Sequence, residues 1–316
     1  MPGAAQSEKK RSQRHRNEKR NRIGGKCEDQ QPGRGQGEQY RPHEQECTKI
    51  DPVKPSDLEV AVDAARSGAA IVFSSLGSVV NTRFKGDANP VTDVDHRAEE
   101  AITGLLRRHR PGDAILAEES GGTGWEEGRV WIVDPLDGTV NFIHGIPHVS
   151  VSVALWVDGQ PSLGVIEDVT RHEEFIAQQG KGATMDTDSI KVSPESILKQ
   201  AMIATGFPYD RNLYGEAYAK NLGQVLTRVQ GIRRLGSAAL DLAWVACGRY
   251  DGYWEFGISP WDSGAGVMMI TEAGGTVTNH LGKAYRLDDP GIVASNGGIH
   301  EDLVVAVGLA IPEHIE

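Results

Sequence analysis

Five carboxylates of this sequence stand where an apolar stretch gives way to a polar one. Asp95 lies in PVTDVDHRAEE and Glu118 in AILAEES, Asp134 and Asp137 follow RVWIV, and Asp262 lies in SPWDSGAG. Carboxylates that lie close together raise one another's pKa unless a cation lies between them. Sets of oxygen ligands suit hard cations such as Mg²⁺ or Mn²⁺. The pattern therefore predicts a site for a divalent metal.

The residues after Asp137 add a phosphate-binding feature to this metal site. The stretch DGTVNF predicts a short helix that starts at Gly138, with the Thr139 hydroxyl beside it. Free main-chain N–H groups at a helix start bind phosphate well. No Cys, Ser or His is paired with an adjacent base as a covalent nucleophile, so direct attack by water is favoured. Together these features predict metal-assisted phosphoryl chemistry.

The elements that must hold these residues alternate irregularly between helix and strand. Apolar spacing predicts a first helix from Ser56, with Glu59 as its capping-box partner, and a second that Pro111-Gly112 ends. Strands are predicted in AILAEES and RVWIVD, and a hairpin turns at Asp158-Gly159. Further strands are predicted in EEFIAQQGKGATM and QAMIATGFP, and helices in NLYGEAYAKNLGQVLTRV and SPWDSGAGVMMITEAGG. A helix, a turn and a strand are predicted in GSAALDLAWVACGRYDGYWEF, and a strand followed by a helix in GIVASNGGIHEDLVVAVGLA. This order favours a mixed α/β chain in which sheets are layered with helices.

Composition indicates a globular protein in a reducing compartment. The chain has 316 residues, a net charge of −11 and 39% hydrophobic residues. No stretch approaches the roughly 18 apolar residues of a membrane helix, and no apolar signal-peptide core is seen. The three cysteines, Cys27, Cys47 and Cys247, form no C-x-x-C pair and are odd in number. We therefore expect a cytoplasmic protein without a membrane partner.

The first fifty residues differ from the rest in composition. They contain twelve Lys/Arg and seven Asp/Glu, a net charge of +5, and almost no apolar residues. Such a segment buries too little surface to offset its ordering entropy, so residues 1–52 are predicted to be a disordered basic tail. A tail without a role, or a true start at Val53, is favoured over an arm that binds RNA or DNA. Residues 53–316 are predicted to form the catalytic domain.

The motifs resemble those of the inositol monophosphatase family. AEES, WIVDPLDGTVNF and SPWDSGAGVMMITEAGG occur in that family's order and spacing, and the resemblance covers roughly residues 55 to 310. The family belongs to a wider superfamily of Mg²⁺-dependent, lithium-sensitive sugar phosphatases. The resemblance implies a layered αβαβα sandwich of the sugar phosphatase type and a homodimer.

The same resemblance implies a role for each residue of the site. It implies metal ligands at Glu118, Asp134, the main-chain oxygen of Leu136, Asp137 and Asp262. It implies catalytic roles for Glu118, Thr139 and Asp95, and substrate-binding roles for Gly138, Thr139, Gly236, Ser237, Ala238, Glu255 and Asp262. The family often has Thr at position 237, where Ser keeps the hydroxyl.

The expected activity is Mg²⁺-dependent hydrolysis of myo-inositol monophosphate, or a related polyol phosphate, with two or three metal ions. Mn²⁺ is a possible substitute. Within the superfamily, histidinol phosphate, a nucleotide 3′-phosphate or a fructose bisphosphate remain alternative substrates. From another class, the chain could be a regulatory protein that binds RNA through its tail; the complete ligand set argues against this as its sole role.

Other polar residues near the motifs receive structural interpretations. Glu119 is expected to be a neighbour of the ligands rather than a ligand, and Asp93 to stabilise a helix start. Asp241 is expected inside the helix after Gly-Ser-Ala, where a structural role is favoured over contact with substrate or a second subunit. His144 and His148 are expected to be polar surface residues without a catalytic role.

Overall fold

The computed structural model describes residues 54–78, 81–85, 89–122 and 124–315, so the predicted tail at 1–52 lies outside the described residues. The helices are α1 Asp57–Ser75, α2 Asp93–His109, α3 Thr139–His144, α4 Arg211–Leu226, α5 Ala238–Ala246, α6 Pro260–Glu272 and α7 His300–Gly308. Short 3₁₀ turns occur at Leu198–Gln200 and Glu313–Ile315. Within these ranges, no helix is both long and apolar enough to cross a membrane.

Capping boxes start the first two helices. Ser56 accepts a hydrogen bond from the Glu59 main chain while the Glu59 carboxylate accepts one from Ser56 N, which confirms the predicted start of α1. Thr92 caps α2 in the same way, and its N3 partner is Asp95. Capping boxes satisfy main-chain donors that a helix start leaves free. The cap of α2 thus places one of the predicted site carboxylates.

A seven-stranded sheet carries the DPLDGT motif. Its strands are β3 Ala114–Ala117, β4 Arg129–Asp137, β5 Ser150–Val157, β6 Gln160–Asp168, β7 Glu173–Gln178, β8 Gly182–Met185 and β9 Asp188–Ser189, paired in that order. Only the β3–β4 pair is parallel. The β4–β5 register shifts between Asp134 and Asp137, where β4 passes through Pro135. This bulge lets one strand present both carboxylates at its end.

A five-stranded sheet forms the second β layer. Its strands are β10 Met202–Thr205, β11 Gly231–Arg233, β12 Gly252–Phe256, β13 Thr276–Asn279 and β14 Gly291–Ser295, in the order β11-β10-β12-β14-β13. Strand β10 is parallel to both of its neighbours, whereas β14 is antiparallel to β12 and β13. A separate hairpin joins β1 Thr82–Lys85 to β2 Asn89–Thr92.

Alternate residues of a strand point to opposite faces of its sheet and pack into different hydrophobic cores. Each sheet therefore lies between two layers of helices. On β4, Trp131 and Val133 pack with α1 and α2, while Val130 and Ile132 pack with α5 and α6. The opposite face of the five-stranded sheet packs on α4 and α7, through residues such as Trp254. A strand with both faces buried reads as a continuous apolar run. The predicted αβαβα sandwich is therefore confirmed.

Four strands of three or four residues were not predicted from the sequence. No strand was expected at residues 82–85 and 89–92, which form the β1–β2 hairpin. Strands β11 and β13 were also missed. These segments are three or four residues long, and β11 and β13 lie at sheet edges, where hydrogen bonds to a neighbouring strand outweigh a weak local pattern.

Candidate active site

A cavity of about 360 Å³ collects nearly all of the predicted site residues. Asp95 does not line the cavity but lies directly behind it. The predicted residues that line it are Glu118, Asp134, Leu136, Asp137, Gly138, Thr139, Gly236, Ser237, Ala238, Glu255 and Asp262. A cavity of this size accommodates a small polar ligand.

Asp134, Asp137 and Asp262 form the group that we call the acidic trio. Each offers one carboxylate oxygen, and these oxygens all lie within 4.8 Å of one another. Asp134 Oδ1 accepts a hydrogen bond from Leu136 N at 3.0 Å, and Asp262 Oδ2 accepts one from Ser259 N at 2.9 Å. These main-chain donors orient the two carboxylates before any ligand arrives.

The third carboxylate of the trio, Asp137, is fixed by the start of α5. Its Oδ2 accepts hydrogen bonds from Ser237 Oγ at 2.6 Å and from Ala239 N at 2.8 Å. Ser150 Oγ lies 3.3 Å from the same oxygen. The N-terminus of a helix favours negative charge. Ser237 therefore orients a predicted metal ligand, a role that the sequence had not assigned to it.

The acidic trio has the properties of a cation site. Burial and then the neighbouring carboxylates raise the pKa of Asp134 well above its usual range. The same causes raise the pKa of Asp262. Among the residues that the structure describes, no basic side chain forms an ion pair with the trio. Close, buried carboxylates of this kind need a cation between them, and all-oxygen ligands suit a hard divalent metal.

Asp95 and Thr139 form a hydrogen-bonded pair behind the trio. Thr139 Oγ1 lies 3.0 Å from Asp95 Oδ1 and 3.1 Å from the main-chain oxygen of Leu136. The other oxygen of Asp95 accepts from Thr92 N and Thr92 Oγ1 at 2.9 and 2.5 Å. Since Asp95 is fully buried, its position fixes the Thr139 hydroxyl. The structure thus brings together the pair that the sequence had separated by 44 positions.

Glu118 lies between the trio and a lysine of the β1–β2 hairpin. Lys85 Nζ is 3.3 Å from Glu118 Oε1 and 2.6 Å from Glu119 Oε1. Burial raises the pKa of Glu118 to about 7, against the opposing effect of Lys85. Glu99 accepts hydrogen bonds from the main-chain N–H groups of Glu119 and Ser120 at 2.8 and 3.0 Å. These two hydrogen bonds to Glu99 therefore fix the turn that carries Glu118 against α2.

Two glycines let the main chain pass close to the trio. Gly138 has φ +93°, and a Cβ there would lie 3.0 Å from His148 O and 3.2 Å from Gly236 O. Gly236 has φ +90°, and a Cβ there would lie 2.6 Å from Arg234 Nη1. Such φ values are easy only for glycine. Both positions therefore need the residue that the motif supplies.

Arg234, Asp241 and Glu255 also line the cavity and are called here the Glu255 set. Tyr253 Oη donates a hydrogen bond to Glu255 Oε2. Burial raises the pKa of Glu255 to about 7. A Cβ on Gly206 would come within 2.1 to 2.3 Å of the Glu255 carboxylate, so any larger residue there would force the carboxylate to move. The sequence predicted Glu255 but not its neighbours Gly206 and Tyr253.

Other expectations for individual residues meet mixed outcomes. His144 is exposed, as expected, but the expectation for His148 is wrong, because its side chain is only 3% exposed. It lies two residues before β5, and its ring packs edge-on against Trp244. Lys85 and Glu99 were missed, since RFKGD and HRAEEA carry no local signal that links them to Glu118.

Comparisons with known proteins identify the class to which this layered fold and acidic pocket belong. A sequence profile described as the inositol monophosphatase family matches residues 55–310. An inositol-1-monophosphatase of Synechocystis sp. is 42% identical over 265 residues, which cover 80% of this chain and 90% of the relative. The Nus factor SuhB of Pseudomonas aeruginosa is 39% identical over 266 residues, with 82% and 98% covered.

A solved structure agrees with these sequence matches. The inositol monophosphatase from Anabaena (Nostoc) sp. PCC 7120 superposes with a TM-score of 0.73 at 41% identity, covering 82% of this chain and 98% of that one. The chain belongs to the inositol monophosphatase family. The family predicted from the motifs is therefore confirmed, and with it a phosphatase that acts on a small phosphorylated substrate.

Proposed function

We propose that this protein hydrolyses myo-inositol monophosphate, or a closely related polyol phosphate, to the free alcohol and phosphate with Mg²⁺ as cofactor. The observation that carries the proposal is the single pocket that contains both the acidic trio and Glu255. Carboxylates with close oxygens hold a metal, and a separate carboxylate is available for the hydroxyls of a polyol. Relatives named inositol-1-monophosphatase support the choice of alcohol.

The metal-binding residues in this proposal are Glu118, Asp134, the Leu136 carbonyl, Asp137 and Asp262, which would hold two or three Mg²⁺ ions, or Mn²⁺ in their place. Metal ions bound there would lower the pKa of the attacking water and stabilise the leaving alkoxide. Main-chain donors already orient the acidic trio, so little reorganisation is needed on binding. The ligand set contains only oxygen, which matches the preference of Mg²⁺.

The remaining residues position the reactants and move a proton. Thr139 donates its hydroxyl proton towards Asp95, which leaves a lone pair of Thr139 Oγ1 for the water molecule. Glu118 is the proton acceptor beside it. The N–H groups of Gly138 and Thr139 hold phosphate oxygens as negative charge builds. Glu255 and the Gly236-Ser237-Ala238 turn bind the alcohol part.

A phosphate-release assay on a panel of esters tests the proposal. The panel contains myo-inositol 1-phosphate, histidinol phosphate, a nucleotide 3′-phosphate and fructose 1,6-bisphosphate, each with Mg²⁺, with Mn²⁺ and with excess chelator. We expect the highest kcat/KM for the inositol ester and no turnover with chelator. A higher value for another ester would move the protein to a different substrate of the superfamily.

The resemblance extends the proposal to three further properties. We expect a homodimer, a cytoplasmic location and inhibition by Li⁺. A second assay compares the full chain with residues 53–316 alone. Equal turnover would support the catalytic domain at 53–316, whereas RNA binding by the full chain without phosphate release would favour the regulatory alternative.

A further inference from the structure

Asp241 is a buried carboxyl group without a complete set of partners. It lies in the first turn of α5, its side chain is only 2% exposed, and it lines the pocket. Its Oδ1 has no hydrogen-bond partner among the described residues. Leaving a buried polar group unsatisfied costs about 1–3 kcal/mol, and more if it is charged. An unpaired group of this kind in a native structure calls for a ligand or a function.

The neighbours of Asp241 do not supply the missing partner. His148 Nε2 is 3.9 Å from Asp241 Oδ1, beyond hydrogen-bond distance, and is itself unpartnered in the described part of the chain. Burial lowers the pKa of His148 to about 4, so the ring is neutral and forms no ion pair near pH 7. Arg234 attracts the Asp241 carboxyl at longer range but forms no ion pair with it among the described residues.

A purely structural role does not account for this arrangement. Asp168 is an example of a structural carboxylate in this protein. It is buried and accepts hydrogen bonds from Thr170 and, at 2.9 Å, from Arg171 Nη1. Asp241 lacks such bonds, although it faces the cavity that also contains Glu255. Its Oδ1 lies beside His148, which does not line the cavity. The other oxygen, Oδ2, is not fully shielded and also accepts no hydrogen bond among the described residues, so it is the oxygen left for a ligand in the cavity.

We propose that Asp241 binds a hydroxyl group of the substrate's alcohol part, so that Asp241 and Glu255 together select phosphate esters of polyols over esters without hydroxyls. The proposal rests on the phosphatase function argued above. A hydroxyl group both donates and accepts hydrogen bonds, so it satisfies this carboxyl in either protonation state. Sites built to bind a hydroxyl reject analogues that lack it, because the buried polar group is then left unpaired.

The test compares two substrates in two variants of the full-length protein with Mg²⁺. The substrates are myo-inositol 1-phosphate and phenyl phosphate, which has no free hydroxyl on its alcohol part. In Asp241→Ala we expect kcat/KM for the inositol ester to fall about 10- to 100-fold, as for a lost hydrogen bond to a charged group, with phenyl phosphate within twofold of wild type. Asp241→Asn keeps an acceptor and should lose less.

Thermal unfolding provides a second readout with an informative sign. Because Asp241→Asn removes an unpaired buried acid without changing its volume, the variant should melt at a higher temperature than wild type. The matched control is Asp168→Asn, which breaks a satisfied buried carboxyl outside the pocket. The control should melt lower and leave the ratio of kcat/KM for the two esters unchanged.

The outcomes separate the inference from the proposed function. If Asp241→Ala lowers kcat/KM for both esters equally or for neither, or if Asp241→Asn melts lower than wild type, Asp241 is structural and the inference is overturned. If wild-type protein hydrolyses neither ester, the proposed function fails and the inference falls with it. A selective loss on the inositol ester with a raised melting temperature establishes Asp241 as a substrate-binding residue.

Discussion

The acidic trio and the Glu255 set line the same pocket, but their hydrogen-bonding is different. Each carboxylate of the trio accepts a bond from a main-chain N–H group. In the Glu255 set, Glu255 accepts a bond from the Tyr253 side chain, and Asp241 Oδ1 accepts none. Hydrogen bonds from the main chain orient a carboxylate before a ligand binds. A carboxylate oxygen without a donor in the protein can accept a hydrogen bond from a ligand. Under the proposed function, the trio would hold a metal ion in a fixed position and the Glu255 set would discriminate between alcohols.

The largest expected effect comes from breaking the trio. Asp134→Asn removes one negative charge and one proposed metal ligand from the trio. Since metal activation supplies several kcal/mol, kcat should fall by roughly a thousandfold or more. Loss of like-charge repulsion should keep the melting temperature in chelator at or above the wild-type value. Phosphate release and thermal melts provide the two measurements.

A matched substitution controls for the chemistry of this change. Asp158→Asn alters an exposed hairpin residue with φ +49°, a conformation that Asn also tolerates. Its turnover should equal that of wild type. Near wild-type turnover of Asp134→Asn at saturating Mg²⁺ would contradict the metal assignment and with it the distinction between the two groups.

The contrast also explains how much the sequence could predict. Asp134 and Asp262 accept their orienting hydrogen bonds from residues two and three positions away. The motif that contains each carboxylate therefore also contains the group that orients it. The helix at Thr139 follows from the same local pattern, and the αβαβα layers follow from the family resemblance that the motifs carry. Short-range signals were therefore enough for these two members of the trio, whereas Asp137 is oriented by Ser237 and Ala239, which lie 100 and 102 positions away.

The support for these residues could not be predicted, because it is not local. Glu99 orients the turn at Glu118 from a helix 20 positions earlier, and Lys85 reaches it from a hairpin that has no apolar pattern. Asp241 Oδ1 is unpaired because His148 Nε2 lies 3.9 Å away, too far for a hydrogen bond, and these two residues are 93 positions apart in the sequence. Such distances are set by packing between layers, and a single sequence does not encode them in any short window.

A glycine substitution tests the Glu255 set without touching its polar atoms. In Gly206→Ala the new Cβ would overlap the Glu255 carboxylate, whose flexible end must rotate away. We expect kcat/KM for myo-inositol 1-phosphate to fall about tenfold or more, as after loss of a hydrogen bond to a charged group, while phenyl phosphate is spared. Steady-state kinetics with both esters measure the ratio.

The control for this variant is Gly215→Ala in α4. A Cβ there meets nothing within 4 Å, so alanine should stabilise the helix by about 0.5–1 kcal/mol and leave the kinetics unchanged. An equal loss on both esters in Gly206→Ala would mean that the pocket had collapsed generally, and that the Glu255 set does not act separately from the trio.

A smaller effect is expected from the hydroxyl that orients Glu255. Tyr253→Phe removes the donor but keeps the buried ring. The loss of one hydrogen bond to a carboxylate should raise KM for the inositol ester about tenfold with kcat nearly unchanged. Tyr250→Phe, which changes a buried tyrosine outside the pocket, serves as the control and should leave KM unchanged. A fall in kcat with unchanged KM would place Tyr253 in the chemistry of the trio instead.

The smallest expected effect is on stability, at Glu167, a carboxyl group outside the pocket that can be compared with Asp241. Its Oε1 lies 3.8 Å from Arg66 Nε, whereas Asp241 forms no ion pair with an arginine among the described residues, and Glu167 does not line the pocket. Burial and the adjacent Glu174 raise the pKa of Glu167 from 4.5 to about 8. Between these values the unfolded chain releases a proton that the folded protein keeps, so stability falls as the pH rises through this window.

Glu167→Gln mimics the protonated acid at every pH. Its melting temperature should match wild type near about pH 4.5 and exceed it by a few degrees near about pH 9, with turnover on both esters unchanged. Glu127→Gln, at an exposed position, controls for the loss of charge and should show no pH-dependent difference. If Glu167→Gln altered the ratio between the esters, a carboxyl group outside the pocket would affect selectivity. Asp241 would then not owe its effect to its position in the pocket.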